Sequence, residues 1–224
     1  MERYLNAVTA TGSATEATSK VLRNTYMLLS LTLLFSGVMA AVSTTVHIGL
    51  GVSLACSLIS MALLWFVVPR TAHSSTGIGV VFLVTGLLGF GLGPILEHYM
   101  AMRNGGQVVG MAVGGTGVIF LAMSAIALVT RKDFSFMGKF LMVGILVAFV
   151  ASIGALVFQI PALALAVSAM FMVLSSGMIL WQTSQIINGG ETNYVLATVS
   201  LYVSIYNIFV SLLQLLGFAS GSDD

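Results

Sequence analysis

Long apolar stretches separated by short polar punctuation dominate this chain. No Asp, Glu, Lys or Arg lies between Arg23 and Arg70, Arg70 and Glu97, Arg103 and Arg131, Lys139 and Glu191, or Glu191 and Asp223. A helix needs about 20 apolar residues to cross a bilayer. The first and fourth gaps hold two crossings each, with a tight turn, and the other three hold one each, so the pattern predicts seven spans. The runs are continuous rather than alternating, which excludes a transmembrane barrel.

The predicted spans are helix 1 at 24–46, helix 2 at 50–68, helix 3 at 76–97, helix 4 at 106–129, helix 5 at 138–158, helix 6 at 162–183 and helix 7 at 193–217. Pro69 should stop helix 2, and Pro94 should kink helix 3, because proline removes a backbone donor and clashes one turn back. The domain plan is a polar head at 1–23, a transmembrane domain at 24–217 and a short tail at 218–224. The head is expected to be flexible, or at most a short interfacial helix beginning near Ser19.

Polar residues inside the apolar runs are few, and their spacing is informative. Ser200, Ser204, Asn207, Ser211 and Gln214 recur every three or four residues, so they share one face of helix 7. Ser168, Ser175 and Gln182 make a sparser stripe on helix 6. An amide or hydroxyl facing lipid loses its water partners and gains none, so both stripes should face the bundle interior. They serve either as interhelical glue or as the lining of a polar pocket or ion path. Gly86, Gly89 and Gly93 on helix 3, and Gly110 and Gly114 on helix 4, are spaced to let neighbouring backbones approach.

Composition and charge narrow the function classes. Of 224 residues, 58% are hydrophobic and 7% charged, against roughly 25% charged in soluble domains. A net charge of +1 and the lack of a basic patch exclude nucleic acid as a partner. With helix 1 leaving the cytoplasm, Arg3, Lys20, Arg23, Arg70, Arg131, Lys132 and Lys139 lie inside and Arg103 alone outside, so the N-terminus is inside and the C-terminus outside. Trp65, Trp181, Tyr99 and Tyr194 fall near predicted interfaces, with Tyr202 and Tyr206 beside the helix 7 stripe, and these aromatics are expected as headgroup anchors or packing residues.

No catalytic chemistry presents itself. Nucleophile elbow, phosphate loop and zinc-protease motifs are missing, and the lone Cys56 has no partner. His47 and His98 belong to one side of the membrane and His73 to the other, so no metal site and no cofactor is expected. Glu97 stands apart as an acid near the end of helix 3. It is either a submerged proton relay or an ordinary helix-end acid at the headgroups.

Several segments resemble the Bax inhibitor-1/YccA family. The longest is Trp181–Tyr194, which runs Trp-Gln-Thr-Ser-Gln-Ile-Ile-Asn-Gly-Gly-Glu-Thr-Asn-Tyr. Others are Ser200–Phe209, Lys20–Tyr26, Gly86–Leu96 and Thr130–Phe136, so the resemblance covers nearly everything from residue 20 onward. It implies an all-α membrane protein: a seven-transmembrane-helix bundle whose polar last helix runs through the centre. It further implies a bacterial inner membrane location with a periplasmic tail. In the YccA branch, which the chain resembles most, the implied role is modulation of the membrane-anchored ATP-dependent protease FtsH, without enzymatic activity. Other branches imply a calcium or proton leak governed by two paired aspartates. The matching positions here are Gln182 and Ser204, which cannot form a carboxylate pair and offer little to Ca²⁺. A hydrogen-bonded latch between helices 6 and 7 is what that pair has left.

Overall fold

The computed structural model describes residues 2–221, with side chains from Glu16 onward. Seven long apolar helices are present among the described residues. They are α1 (Glu2–Val46), α2 (Leu50–Thr71), α3 (Thr76–Met100), α4 (Gly105–Thr130), α5 (Met137–Phe158), α6 (Pro161–Ile187) and α7 (Tyr194–Gly221). Each predicted span is therefore a helix, and the chain is an all-α membrane protein.

Three boundaries differ from the sequence reading, each for a physical reason. The polar head is helical and continuous with the first span, so α1 begins at Glu2 rather than near residue 24. Extending an existing helix needs no new nucleus, and the Lys20–Glu16 ion pair of 2.8 Å links one turn to the next on the exposed surface. Pro69 does not stop α2. A π-helical turn at Leu63–Val67 precedes it, with the Val68 amide donating five residues back to the Leu63 carbonyl. That shift of register absorbs the proline, and the helix continues to Thr71. At the far end α7 runs to Gly221, so residues 218–221 are helix rather than tail. Asp223 and Asp224 lie outside the described residues. Pro94 behaves as expected: α3 is interrupted at Leu92, between Thr76–Gly91 and Gly93–Met100.

The last helix is the centre of the bundle. It packs against α6, α4, α1 and α3, whereas α5 packs on α6 and α2 on α3. In its most apolar stretch 56% of residues are buried, against 17% in α5 and 22% in α2. The main core joins Leu29 of α1, Val81 and Val84 of α3 and Ile179 of α6 to Leu201 and Ile208 of α7. Placing the most polar helix innermost keeps its hydroxyls and amides away from acyl chains.

Two of the glycine faces behave differently. On α3, a side chain at Gly86 would strike the Phe35 ring, one at Gly89 the Ser36 backbone, and one at Gly93 the Ser43 side chain. These glycines seat α3 against α1. On α4, Gly110 and Gly114 meet open space. The inward face of α4 is instead Val108, Ala112 and Thr116.

Candidate functional site

The bundle has a basic end and an opposite end. Lys20, Arg23, Arg70, Arg131, Lys132 and Lys139 cluster at the first, which also carries the α2–α3, α4–α5 and α6–α7 connections. The second carries the turns after α1, α3 and α5. His47, Arg131 and Gln159 terminate α1, α4 and α5 in the left-handed conformation, at φ 53, 49 and 51°. No glycine marks those ends in the sequence.

Four residues of the two polar stripes gather around one cavity of about 580 Å³. They are Ser168 of α6 and Asn207, Ser211 and Gln214 of α7, joined by Gln159 and Tyr206. The Ser168 hydroxyl lies between the Ala164 carbonyl of its own helix, at 2.9 Å, and the Gln214 amide, and the second contact ties the two helices. Ser211 is buried, and neither its hydroxyl nor the Asn207 amide has a hydrogen-bond partner among the described residues. The remaining wall is mostly apolar, with Leu156, Phe171 and Val210, and its one further hydroxyl, Ser152, donates to the Phe149 carbonyl of its own helix at 2.7 Å.

The other stripe residues lie elsewhere in the bundle. Ser175 and Gln182 are buried, and Gln182 makes no side-chain hydrogen bond among the described residues. Ser204 is buried too, but its hydroxyl donates to the Ser200 carbonyl of its own helix at 2.9 Å. Its proton is used there, and no hydrogen bond joins it to the Gln182 side chain among the described residues. The Gln182–Ser204 latch is therefore not made.

On the other face of α7 lies a second cavity, also about 580 Å³ and largely apolar, lined by Leu33 and Gly37 of α1, Val113 of α4 and Phe209. Tyr206 borders both cavities and stacks on Tyr202, with ring centroids 6.4 Å apart. Tyr202 lies inside the bundle. It is 2% exposed, its hydroxyl lies 2.5 Å from the Ser36 hydroxyl, and it donates to the Thr85 carbonyl at 3.2 Å. One phenol thus joins α7, α1 and α3. Sequence reasoning missed this junction because Ser36 and Thr85 are isolated within apolar runs. Tyr202→Phe should lower stability by about 1 kcal/mol. Tyr206→Phe should leave it unchanged, because the Tyr206 hydroxyl has no such partner among the described residues. Thermal unfolding of the two variants in one detergent checks both.

The basic end is stitched by side chains of the Trp181–Tyr194 segment. The Ser184 hydroxyl donates to the Lys132 carbonyl and accepts from the Phe134 amide, both at 3.0 Å. The Gln185 amide donates to the Ser135 hydroxyl at 2.7 Å, and the Asn188 amide to the Ser184 carbonyl at 3.0 Å. Asn193 donates to the Ala72 carbonyl at 2.9 Å and approaches His73 Nδ1 at 3.3 Å. In the same region the Ser135 hydroxyl and amide, both donating to Asp133, hold its carboxyl below the usual range. Trp181 sits against Gly138 and fills the α5–α6 contact, whereas Trp65 is exposed on the outside of α2.

Glu97 lies near the opposite end, with its Oε2 3.3 Å from Nδ1 of His47 in the turn after α1. Its side chain is 34% exposed, while Oε1 is enclosed without a partner among the described residues. Among the described residues no three His, Cys, Asp or Glu side chains converge.

A family model described as inhibitor of apoptosis-promoting Bax1 matches residues 18–221. The chain is 53% identical over 204 residues to the modulator of FtsH protease YccA of Escherichia coli (strain K12), covering 91% of this chain and 92% of that protein. It has the same identity and coverage with the inner membrane protein YccA of Escherichia coli O6:H1. An uncharacterized membrane protein of Vibrio cholerae serotype O1 is 42% identical over 206 residues, 92% of each chain.

Proposed function

The chain belongs to the Bax inhibitor-1 family, and from that membership we propose that it is a regulatory protein that binds the membrane-anchored protease FtsH and modulates it. The observation carrying the proposal is similarity along nearly the whole chain to a relative named for that role. It acts by binding, with no chemistry of its own. It resides in the bacterial inner membrane, with the basic end and N-terminus cytoplasmic and the C-terminus periplasmic. The excess of Lys and Arg at one end supports that orientation. A second reading, an ion leak, draws on the polar cavity. The neutral Gln182 and the internally bonded Ser204 weigh against it.

The first residues of α1 supply the contact. The helix runs 45 residues, far more than the roughly 20 a bilayer requires, so its first turns project beyond the membrane toward a cytoplasmic ATPase. Co-reconstituted in vesicles with FtsH, the full chain should slow degradation of a second membrane substrate. Deleting residues 2–18 should remove most of that restraint. Equal restraint by the truncated chain would refute the role of the projecting helix. Unchanged degradation with excess full chain would refute modulation itself.

A further inference from the structure

We propose that the polar cavity between α5, α6 and α7 is a binding site for an uncharged, hydroxyl-bearing membrane lipid. Its head meets Asn207, Ser211 and Gln214, and its chain lies along Leu156, Phe171 and Val210. The first argument is unmet hydrogen bonding. The Asn207 amide and the Ser211 hydroxyl have no protein partner among the described residues, and the Gln214 amide meets Ser168 alone, whose proton the Ala164 carbonyl also claims, so hydrogen-bonding capacity is left over there too. At membrane depth, groups of this kind need partners that hydrocarbon cannot offer. Whatever fills the cavity therefore both donates and accepts.

Charge and shape then select the occupant. No Asp, Glu, Lys, Arg or His lines the cavity, so a charged head would enter without compensation. Gln214, Ser211 and Asn207 step along α7 over roughly 10 Å, so an extended molecule meets all three where a compact ion would not. The volume of about 580 Å³ lies in the ordinary range for ligand sites, which is about 300–1,000 Å³. The rim is open and mixed, with Leu156 79% and Ile160 44% exposed beside the exposed amides of Gln159 and Gln214, and α5 leans on α6 rather than closing against α7. A lipid can thus slide in sideways from the bilayer, keeping its tail on apolar walls while its head reaches the amides.

The test uses the full chain in nanodiscs and dioleoylglycerol carrying a diazirine in one chain, without any protease, so its failure would leave the proposed FtsH modulation standing. Saturable cross-linking should map to the α5–α6–α7 cavity. Asn207→Leu with Ser211→Val should weaken it roughly tenfold, the loss of one to two hydrogen bonds. Ala164→Phe, which fills the same cavity from its rim and spares the polar groups, should abolish it even if the double variant fails to fold. Unsaturable labelling spread around the bundle would overturn the proposal. So would equal competition by anionic phosphatidylglycerol, or a cavity that exchanges water freely while showing no localised labelling.

Discussion

Gly89→Leu is expected to cost about 3 kcal/mol or more of stability, and to leave much of the protein aggregated after detergent extraction. A side chain at position 89 would overlap the carbonyl of Ser36, which is helix backbone in α1 and has no rotamer to yield. The helices would have to separate. In lipid nothing offsets that separation, since association rests on close packing rather than on escape from water. The damage would also spread, because Ser36 holds the phenol of Tyr202. Gly110→Leu and Gly114→Leu are the matched comparison. Both positions face open space, so stability should hold or rise by up to about 1 kcal/mol from helix propensity. Size-exclusion recovery and thermal unfolding of the three variants decide the matter. Equal losses at all three sites would mean that α4, like α3, packs through its glycines.

The same glycines mark how far the sequence can be read. Spacing puts Gly89 with Gly93, and Gly110 with Gly114, on single helix faces with equal force. It does not say which face meets a helix and which meets lipid, since both environments are apolar. The number of spans was legible because a solvation rule, uncharged length, decides it; the same kind of rule sets Ser204 and Ser211 inside the bundle but leaves Gln214, on the same stripe, exposed. Where no such rule acts, the reading failed. Whether Pro69 ends a helix depends on a π turn four residues earlier. Whether Ser204 reaches Gln182 depends on competition from a carbonyl one turn back in its own helix. The cavity itself was legible only in part. Ser168, Asn207, Ser211 and Gln214 announced a polar interior, but Ser175, Ser200 and Ser204 carried the same signal and lie away from it.

Asn193→Ala should lower stability by about 2 kcal/mol and loosen two connections at the basic end together. Its side-chain oxygen accepts from the amides of Val195 and Leu196 at 2.9 and 3.2 Å, which caps the first turn of α7. Loss of such a cap costs about 1 kcal/mol. Its amide nitrogen donates to the Ala72 carbonyl between α2 and α3, a tie with a net worth of about 1 kcal/mol more. Asn193→Asp separates the two contributions. A carboxylate still accepts from the cap amides, and the positive end of the α7 dipole favours it, but it cannot donate to Ala72. Amide exchange at residues 195 and 196 should therefore rise in the alanine variant alone, and exchange at 72–75 should rise in both. Equal loss of protection at 195 and 196 in the aspartate variant would show that something other than the Asn193 side chain caps the central helix. If the two variants match wild type at 72–75, the α2–α3 turn is held without Asn193, and its anchorage to the α6–α7 connection lies elsewhere.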